Sequence, residues 1–194
     1  MNNKTALLAA LLISTGAAAQ TPAPTTPAVP PAASTTTAPE SAPGSMAGPS
    51  TKLSAADRKF VDKAASGGMA EVQAAQLAEQ KTQDPKVKDF AEQMIKDHTA
   101  ANQQLTTIAQ QKGLTVPTAL DSKDQKEIDK LQTLSGSKFD RAYMKGQARD
   151  HEAMLKLLQK ESSSGKDSDL KSFADQTIPT IQKHIDMVKT DTPS

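Results

Sequence analysis

From Ser54 onward, apolar residues recur every three or four positions, the spacing that lines one face of a helix. Phe60, Ala64, Gly67, Glu71, Ala74 and Ala78 form the first stripe, flanked by Val61, Gly68, Val72 and Ala75. They predict an amphipathic helix from a capping-box-like start at Ser54 and Asp57 to about Lys81. The Gly67-Gly68 pair inside it costs about 1 kcal/mol per glycine against alanine, tolerable where another helix packs closely. Asp84-Pro85 then reads as an N-cap followed by proline at the first helical position. Val87, Phe90, Ala91, Met94, Ile95, His98, Ala101, Leu105 and Ile108 carry a second helix to a stop at Gly113, with Pro117 beyond. The short connection makes these two helices antiparallel neighbours.

Leu114–Gly136 predicts only a shorter helical piece around Ile128 and Leu131. Ser137 with Asp140 offers a capping box for a third long helix through Phe139, Tyr143, Met144, Ala148, His151, Met154, Leu155 and Leu158. That helix is expected to end before Ser162-Ser163-Ser164-Gly165. The last one starts near Asp167, uses Leu170, Phe173, Thr177, Ile181, His184 and Val188, and should kink at Pro179. No strand-type alternation of useful length appears. The pattern predicts an all-α fold, a ferritin-like four-helix bundle with a short extra helix in the long connection between helices 2 and 3.

Residues 1–50 behave differently. They hold eight of the twelve prolines and almost no large apolar side chains outside one short run. Lys4, the apolar stretch Ala6–Ile13 and the small residues Ala17-Ala18-Ala19 read as a signal peptide over 1–19, cut after Ala19. The apolar run is too short to span a bilayer, and no cysteine is present to carry a lipid. Residues 20–50 are low-complexity Pro, Ala, Thr and Ser, expected to be a disordered linker of polyproline-II character. It reads as a solubilising tail, or as a spacer toward an envelope surface or a protein partner. Residues 51–194 are left as one bundle domain, and the expected location is periplasmic or secreted.

Composition narrows the chemistry. Without cysteine there are no disulfides, thiolate metal sites or cysteine nucleophiles. Trp is absent, Tyr143 is the one tyrosine, and four phenylalanines remain, so aliphatic side chains and alanine must fill the core. Removing residues 1–19 takes away Lys4 and leaves 22 basic against 22 acidic side chains. No concentrated basic surface stands out, which argues against nucleic-acid binding. Serines cluster in the linker, the caps and the 162–164 run. None sits in a strand-to-helix elbow, and no Gly-rich phosphate loop appears.

The polar residues on the apolar stripes carry the remaining information. All three histidines, His98, His151 and His184, lie in the stripes of the last three long helices, and Glu71 lies in that of the first. Buried unpaired polar groups are expensive, so these need partners or a wet cavity. Counted from the first turn, Glu71 and His98 are nearly level, whereas His151 and His184 differ by roughly one helical turn. Each histidine has a methionine one turn away: Met94, Met154 and Met187. Imidazole with thioether suits copper, and imidazole with carboxylate suits zinc or iron. The alternative is architectural: methionine fills gaps in an aromatic-poor core, and each histidine bonds a carboxylate. Asp97-His98 and Asp150-His151 repeat one dipeptide, and both aspartates are expected in a structural polar core. A di-iron oxidase needs Glu-x-x-His on two helices. The residues three before the histidines are Ile95, Ala148 and Ile181, so that reaction is disfavoured.

Phe90-Ala91-x-x-Met94-x-x-Asp97-His98 with Leu105, Phe139-Asp140-x-x-Tyr143 leading to Asp150-His151, then Ile178-Pro179 and His184, resemble domain-of-unknown-function family 4142 (DUF4142). The resemblance covers roughly Ala55–Lys189. It implies an exported bacterial protein with a ferritin-like bundle in the periplasm, and it brings no reaction. Family members are often labelled outer-membrane proteins, but this sequence has neither a β-barrel pattern nor a lipidation cysteine.

Two functions therefore compete at the level of sequence. One is a non-enzymatic periplasmic bundle with a binding or stress-related role, whose buried Asp/Glu/His set holds the helices in register. The other is a metal-binding bundle for copper, zinc or iron using Glu71, His98, His151 and His184, with Met94, Met154 or Met187 as soft ligands. An enzyme of unfamiliar type is the third and weakest reading.

Overall fold

Five helices form where caps and stripes meet. In the computed structural model, which describes residues 52–192, they are α1 (Ala55–Lys81), α2 (Pro85–Gln111), α3 (Ser122–Gln132), α4 (Gly136–Ser164) and α5 (Ser168–Asp191). The expected signal peptide over 1–19 and linker over 20–50 lie outside the described residues. Four N-caps are held by side chains. Ser54 Oγ accepts from the Asp57 N–H at 3.1 Å, and Asp84, Asp121 and Asp167 each accept two first-turn amides. Among the described residues there is no strand, and no helix is long and apolar enough to cross a membrane.

Two expectations at helix ends fail. α4 begins at Gly136 with Ser135 as N-cap and no side-chain capping bond, so Ser137 and Asp140 are already helical. Gly136 takes φ of 53°, a backbone region glycine enters freely, and the helix starts there two residues early. At the other end α4 runs through all three serines to Ser164. The Gly165 amide donates to Glu161 O at 2.8 Å, and Ser162 Oγ bonds the Asp175 carboxylate on α5. α5 stays helical across Pro179.

Two apolar clusters stack along the bundle axis. One joins the early residues of α1, the end of α2, the end of α4 and α5 from Leu170 to Ile185, around Phe60, Val61, Leu105, Leu158, Leu170 and Phe173. The other joins the end of α1, the start of α2, the start of α4 and Val188 of α5, around Ala75, Phe90, Met94, Phe139, Tyr143 and Met144. So α1 and α5 run one way, and α2 and α4 the other. The connection from Gln111 to Gly136 therefore travels the length of the bundle, and α3 rides on it against α1 and α4. This is the ferritin-like connectivity expected from the loop lengths. The glycine pair sits under neighbouring helices: a Cβ on Gly68 would stand 2.0 Å from Asn102 Oδ1 of α2, and one on Gly67 would stand 3.1 Å from Met154 Cε of α4. Where the two apolar clusters meet, every long helix contributes a buried polar residue: Glu71, His98, His184, and both Gln147 and His151 from α4.

Candidate metal centre

That polar layer brings three imidazoles together from α2, α4 and α5. Ring centroids of His98, His151 and His184 form a near-equilateral triangle with sides of 5.4, 5.4 and 5.2 Å. His98 Nε2 is 3.3 Å from His151 Nε2, which is 3.2 Å from His184 Nδ1. One nitrogen from each ring lies within 4.8 Å of the other two. The rings are 5%, 1% and 0% exposed, so water does not solvate them individually. The one-turn offset of His151 and His184 closes for two reasons. The α4–α5 turn is centred near Lys166, which leaves the two positions only three residues apart in height. Helical side chains also lean toward the N-terminus, so on antiparallel helices these two lean toward each other.

Hydrogen-bond partners fix which nitrogens carry protons. His151 Nδ1 is 2.9 Å from the Gln147 carbonyl, which can only accept, so Nδ1 holds the proton and Nε2 presents a lone pair. His184 Nε2 is 2.9 Å from Asp97 Oδ2 and donates to it, which leaves the lone pair on Nδ1. Two lone pairs thus face each other at 3.2 Å, and His98 turns its Nε2 to the same point. Burial lowers the pKa of all three rings. It holds His151 down at about 4, His98 well below its usual value with help from the other two rings, and His184 below it despite Asp97. For Asp97, burial opposes ionisation, but hydrogen bonds from Gln93 (2.6 Å) and His184 outweigh it and hold the carboxyl below its usual range. At neutral pH the layer holds neutral imidazoles and one carboxylate behind His184.

A cation fits this geometry. An ion about 2.0–2.1 Å from two imidazole nitrogens at tetrahedral to trigonal angles separates them by about 3.3–3.6 Å, close to the distances found. Asp97 and the Gln147 carbonyl occupy the outer positions that orient ligating histidines and fix their tautomers.

Other expected ligands go elsewhere. Glu71 is buried but stands behind His151, its Oε1 3.7 Å from Nδ1 rather than at the converging nitrogens. It is level with the layer, as its spacing from His98 implies, yet α1 packs against α4 and delivers it to His151 instead. Burial first, and then Asp150, push its pKa to about 8, so it is neutral at pH 7. Met94 is fully buried in the apolar cluster with Phe90 and Tyr143. Met154 lies against Gly67, and Met187 lines a shallow groove on α5 with Pro179 and Lys183. Asp150 corrects the expectation of a polar core residue: it is half-buried and its hydrogen bonds go to its neighbour Arg149, at 2.9 and 3.0 Å. Spacing gave no hint of Gln93 or of the Gln147 backbone. Gln147 lies four before His151, the position from which a helical carbonyl reaches an imidazole Nδ1, and that regularity is the signal that was available.

Fold and site together define an all-α bundle of ferritin-like connectivity with a buried imidazole triad at mid-height. The domain of unknown function DUF4142 matches residues 42–190, and the chain belongs to that family. Among solved structures, the DUF305 fragment from Deinococcus radiodurans superposes with a TM-score of 0.64 at 13% identity, covering 72% of this chain and 97% of that one. CopM in the Cu(I)-bound form gives 0.59 at 18%, and CopM in the Ag-bound form obtained by co-crystallization gives 0.58 at 21%. Each CopM match covers 69% of this chain and 93% of the other. Likeness at these identities shows the fold. No curated protein matches the sequence.

Proposed function

We propose that this protein is a non-enzymatic, exported metal-binding bundle that holds one Cu(I) ion on His98, His151 and His184. The observation that carries it is the pair of lone pairs on His151 Nε2 and His184 Nδ1, turned to one point by partners that can only accept. Leaving them face to face in a buried layer is unfavourable, and a cation between them removes the conflict. Charge favours a monovalent ion. Three neutral rings add none, and Asp97 supplies one negative charge, so a divalent ion would leave a buried positive charge uncompensated. Imidazole ligands suit copper, and three of them suffice for a trigonal ion. The rings are buried on every side, which suits holding an ion rather than turnover at an open position. CopM, whose fold this chain shares, binds Cu(I) and Ag, which agrees in kind. The signal-like start at residues 1–19 supports a periplasmic location, where a chelator without cysteine has no thiol to lose to oxidation.

The test is a titration of metal-stripped full-length protein with Cu(I) under anaerobic conditions, with Ag(I) and Zn(II) alongside, read by bound metal and thermal melt. A ligand at 100 times its dissociation constant adds about 2.7 kcal/mol, a shift of several degrees here. One Cu(I) or Ag(I) per chain with that shift is expected, lost in the His98→Ala/His151→Ala double variant. No shift with any metal would return the triad to a purely architectural role.

A further inference from the structure

A second polar group lies on the far side of His151, in a cleft between α1, α3 and α4 of about 670 Å³. Its floor holds four buried side chains: Ser66, Glu71, Tyr143 and Gln147, each more than nine-tenths buried. Ser66 Oγ, Glu71 Oε2, Tyr143 Oη and Gln147 Oε1 have no hydrogen-bond partner. Buried polar atoms are nearly always satisfied, so four orphans on one floor mark a place for a molecule that supplies partners. All four oxygens can accept, and the Gln147 Oε1 amide oxygen can only accept, so the missing molecule is a hydrogen-bond donor.

The walls and rim say more. Apolar side chains, among them Ala74, Leu120, Ile128, Leu131 and Leu157, line the space above the floor. Around the mouth stand Asp62, Asp121, Asp124, Glu127 and Asp150 against Lys63 and Lys123, with Arg149 tying Glu127 to Asp150. Negative charge is concentrated enough that Asp124, already disfavoured as an anion by burial, is pushed up further by Asp121, Asp150 and Glu127. Gly146, in the middle of α4, also lines the cleft, and a Cβ there would meet nothing within 4 Å. A mid-helix glycine costs about 1 kcal/mol against alanine, and here no neighbouring group of the protein requires it. What it preserves is room over the floor.

We propose that the cleft between α1, α3 and α4 binds a small organic cation, an ammonium group on an apolar body, with the ammonium on the orphan oxygens of Glu71, Tyr143 and Gln147 and the body against Leu120, Ile128 and Leu131. Size, apolar walls and a few convergent polar groups are what small-molecule sites share. The inference is independent of the imidazole triad, because the cleft lies across the His151 ring from the converging nitrogens.

Phenethylamine is a suitable probe, with phenylacetate as the same body bearing an anion and spermidine as a cation without the apolar body. Binding to metal-free full-length protein is followed by amide chemical shifts and thermal melts at millimolar probe. The expected result is saturable binding of phenethylamine, at least about tenfold tighter than either control, since a charge-assisted hydrogen bond is worth about that factor. Gly146→Leu, which fills open space with a better helix former, should abolish the binding while the fold is kept. Asp124→Asn should weaken it without touching the floor. Equal response to phenylacetate would reduce the cleft to an apolar groove, and equal response to spermidine would reduce it to rim charge. No response, or binding unchanged in Gly146→Leu, overturns the site.

Discussion

Asp97 and Asp150 each precede a core histidine, yet their environments give them opposite roles. Asp97 faces α5 and receives hydrogen bonds from His184 Nε2 and Gln93, so it sets the His184 tautomer and supplies a carboxylate hydrogen-bonded to the triad. Asp150 faces α3 and is held by Arg149. The proposed site therefore predicts an asymmetry between two chemically identical changes. Asp97→Asn removes the charge and frees the tautomer, and outer partners of this kind are worth about 10- to 100-fold in metal affinity. Asp150→Asn should leave affinity unchanged. Competition with a Cu(I) indicator dye distinguishes the two, and equal losses would contradict the orientation assigned to Asp97. The sequence made the three histidines legible because a polar residue in an apolar stripe stands out. It did not make the outer shell legible, because an Asp-His dipeptide says nothing about which helix lies beside the aspartate. Glu71 was legible as buried and level, but which ring it would face depends on helix adjacency, not on spacing.

At the scale of helices, three of the four side-chain caps are readable in the sequence. Ser54, Asp84 and Asp167 start α1, α2 and α5, and Gly113 follows α2 with φ of 72°, whereas Asp121, which caps α3, does not stand out among the polar residues before it. Backbone geometry at Gly136, not a capping side chain, determines the start of α4, and the Ser-x-x-Asp pattern two residues after Ser135 only resembles a cap. The three serines at its end resemble a loop by composition, although Ser162 bonds Asp175 of α5 and Ser163 bonds the Lys160 carbonyl within the helix. Two glycines now carry opposite predictions. Gly146→Ala should stabilise by about 1 kcal/mol, because a Cβ there meets nothing. Gly165→Ala should destabilise by about 1–3 kcal/mol, because its Cβ would stand 2.6 Å from the Glu161 backbone oxygen. Denaturant melts with unchanged slopes would measure both. A stabilising Gly165→Ala would mean that the α4–α5 turn differs from the one described.

For the molecule as a whole, 23 basic and 22 acidic side chains leave no large net charge, so pH acts on stability through a few buried groups. Two are carboxyls raised above their ordinary 4.5. Burial, followed by the neighbouring Asp57, pushes Glu161 to about 7, and burial with Asp150 pushes Glu71 to about 8. Both favour the protonated form in the folded state, so their contribution is complete below pH 4.5 and is lost as pH rises through 7 and 8. The imidazoles act in the opposite sense. His151, lowered to about 4, contributes fully above its ordinary 6.5 and loses that contribution as pH falls through 4. Between 4.5 and 6.5 the two slopes oppose each other. Above 6.5 the histidines have nothing further to add, and the carboxyls alone remain. The melting temperature of the metal-free protein should therefore fall between pH 6.5 and pH 8. Glu161→Gln should flatten the fall near pH 7, and Glu71→Gln should flatten it near pH 8, each change leaving the other part in place. A melting temperature that stays level or rises across this range would mean that the two carboxyls are ionised in the fold, with Lys171 acting on Glu161 and Arg149 on Glu71 strongly enough to outweigh burial.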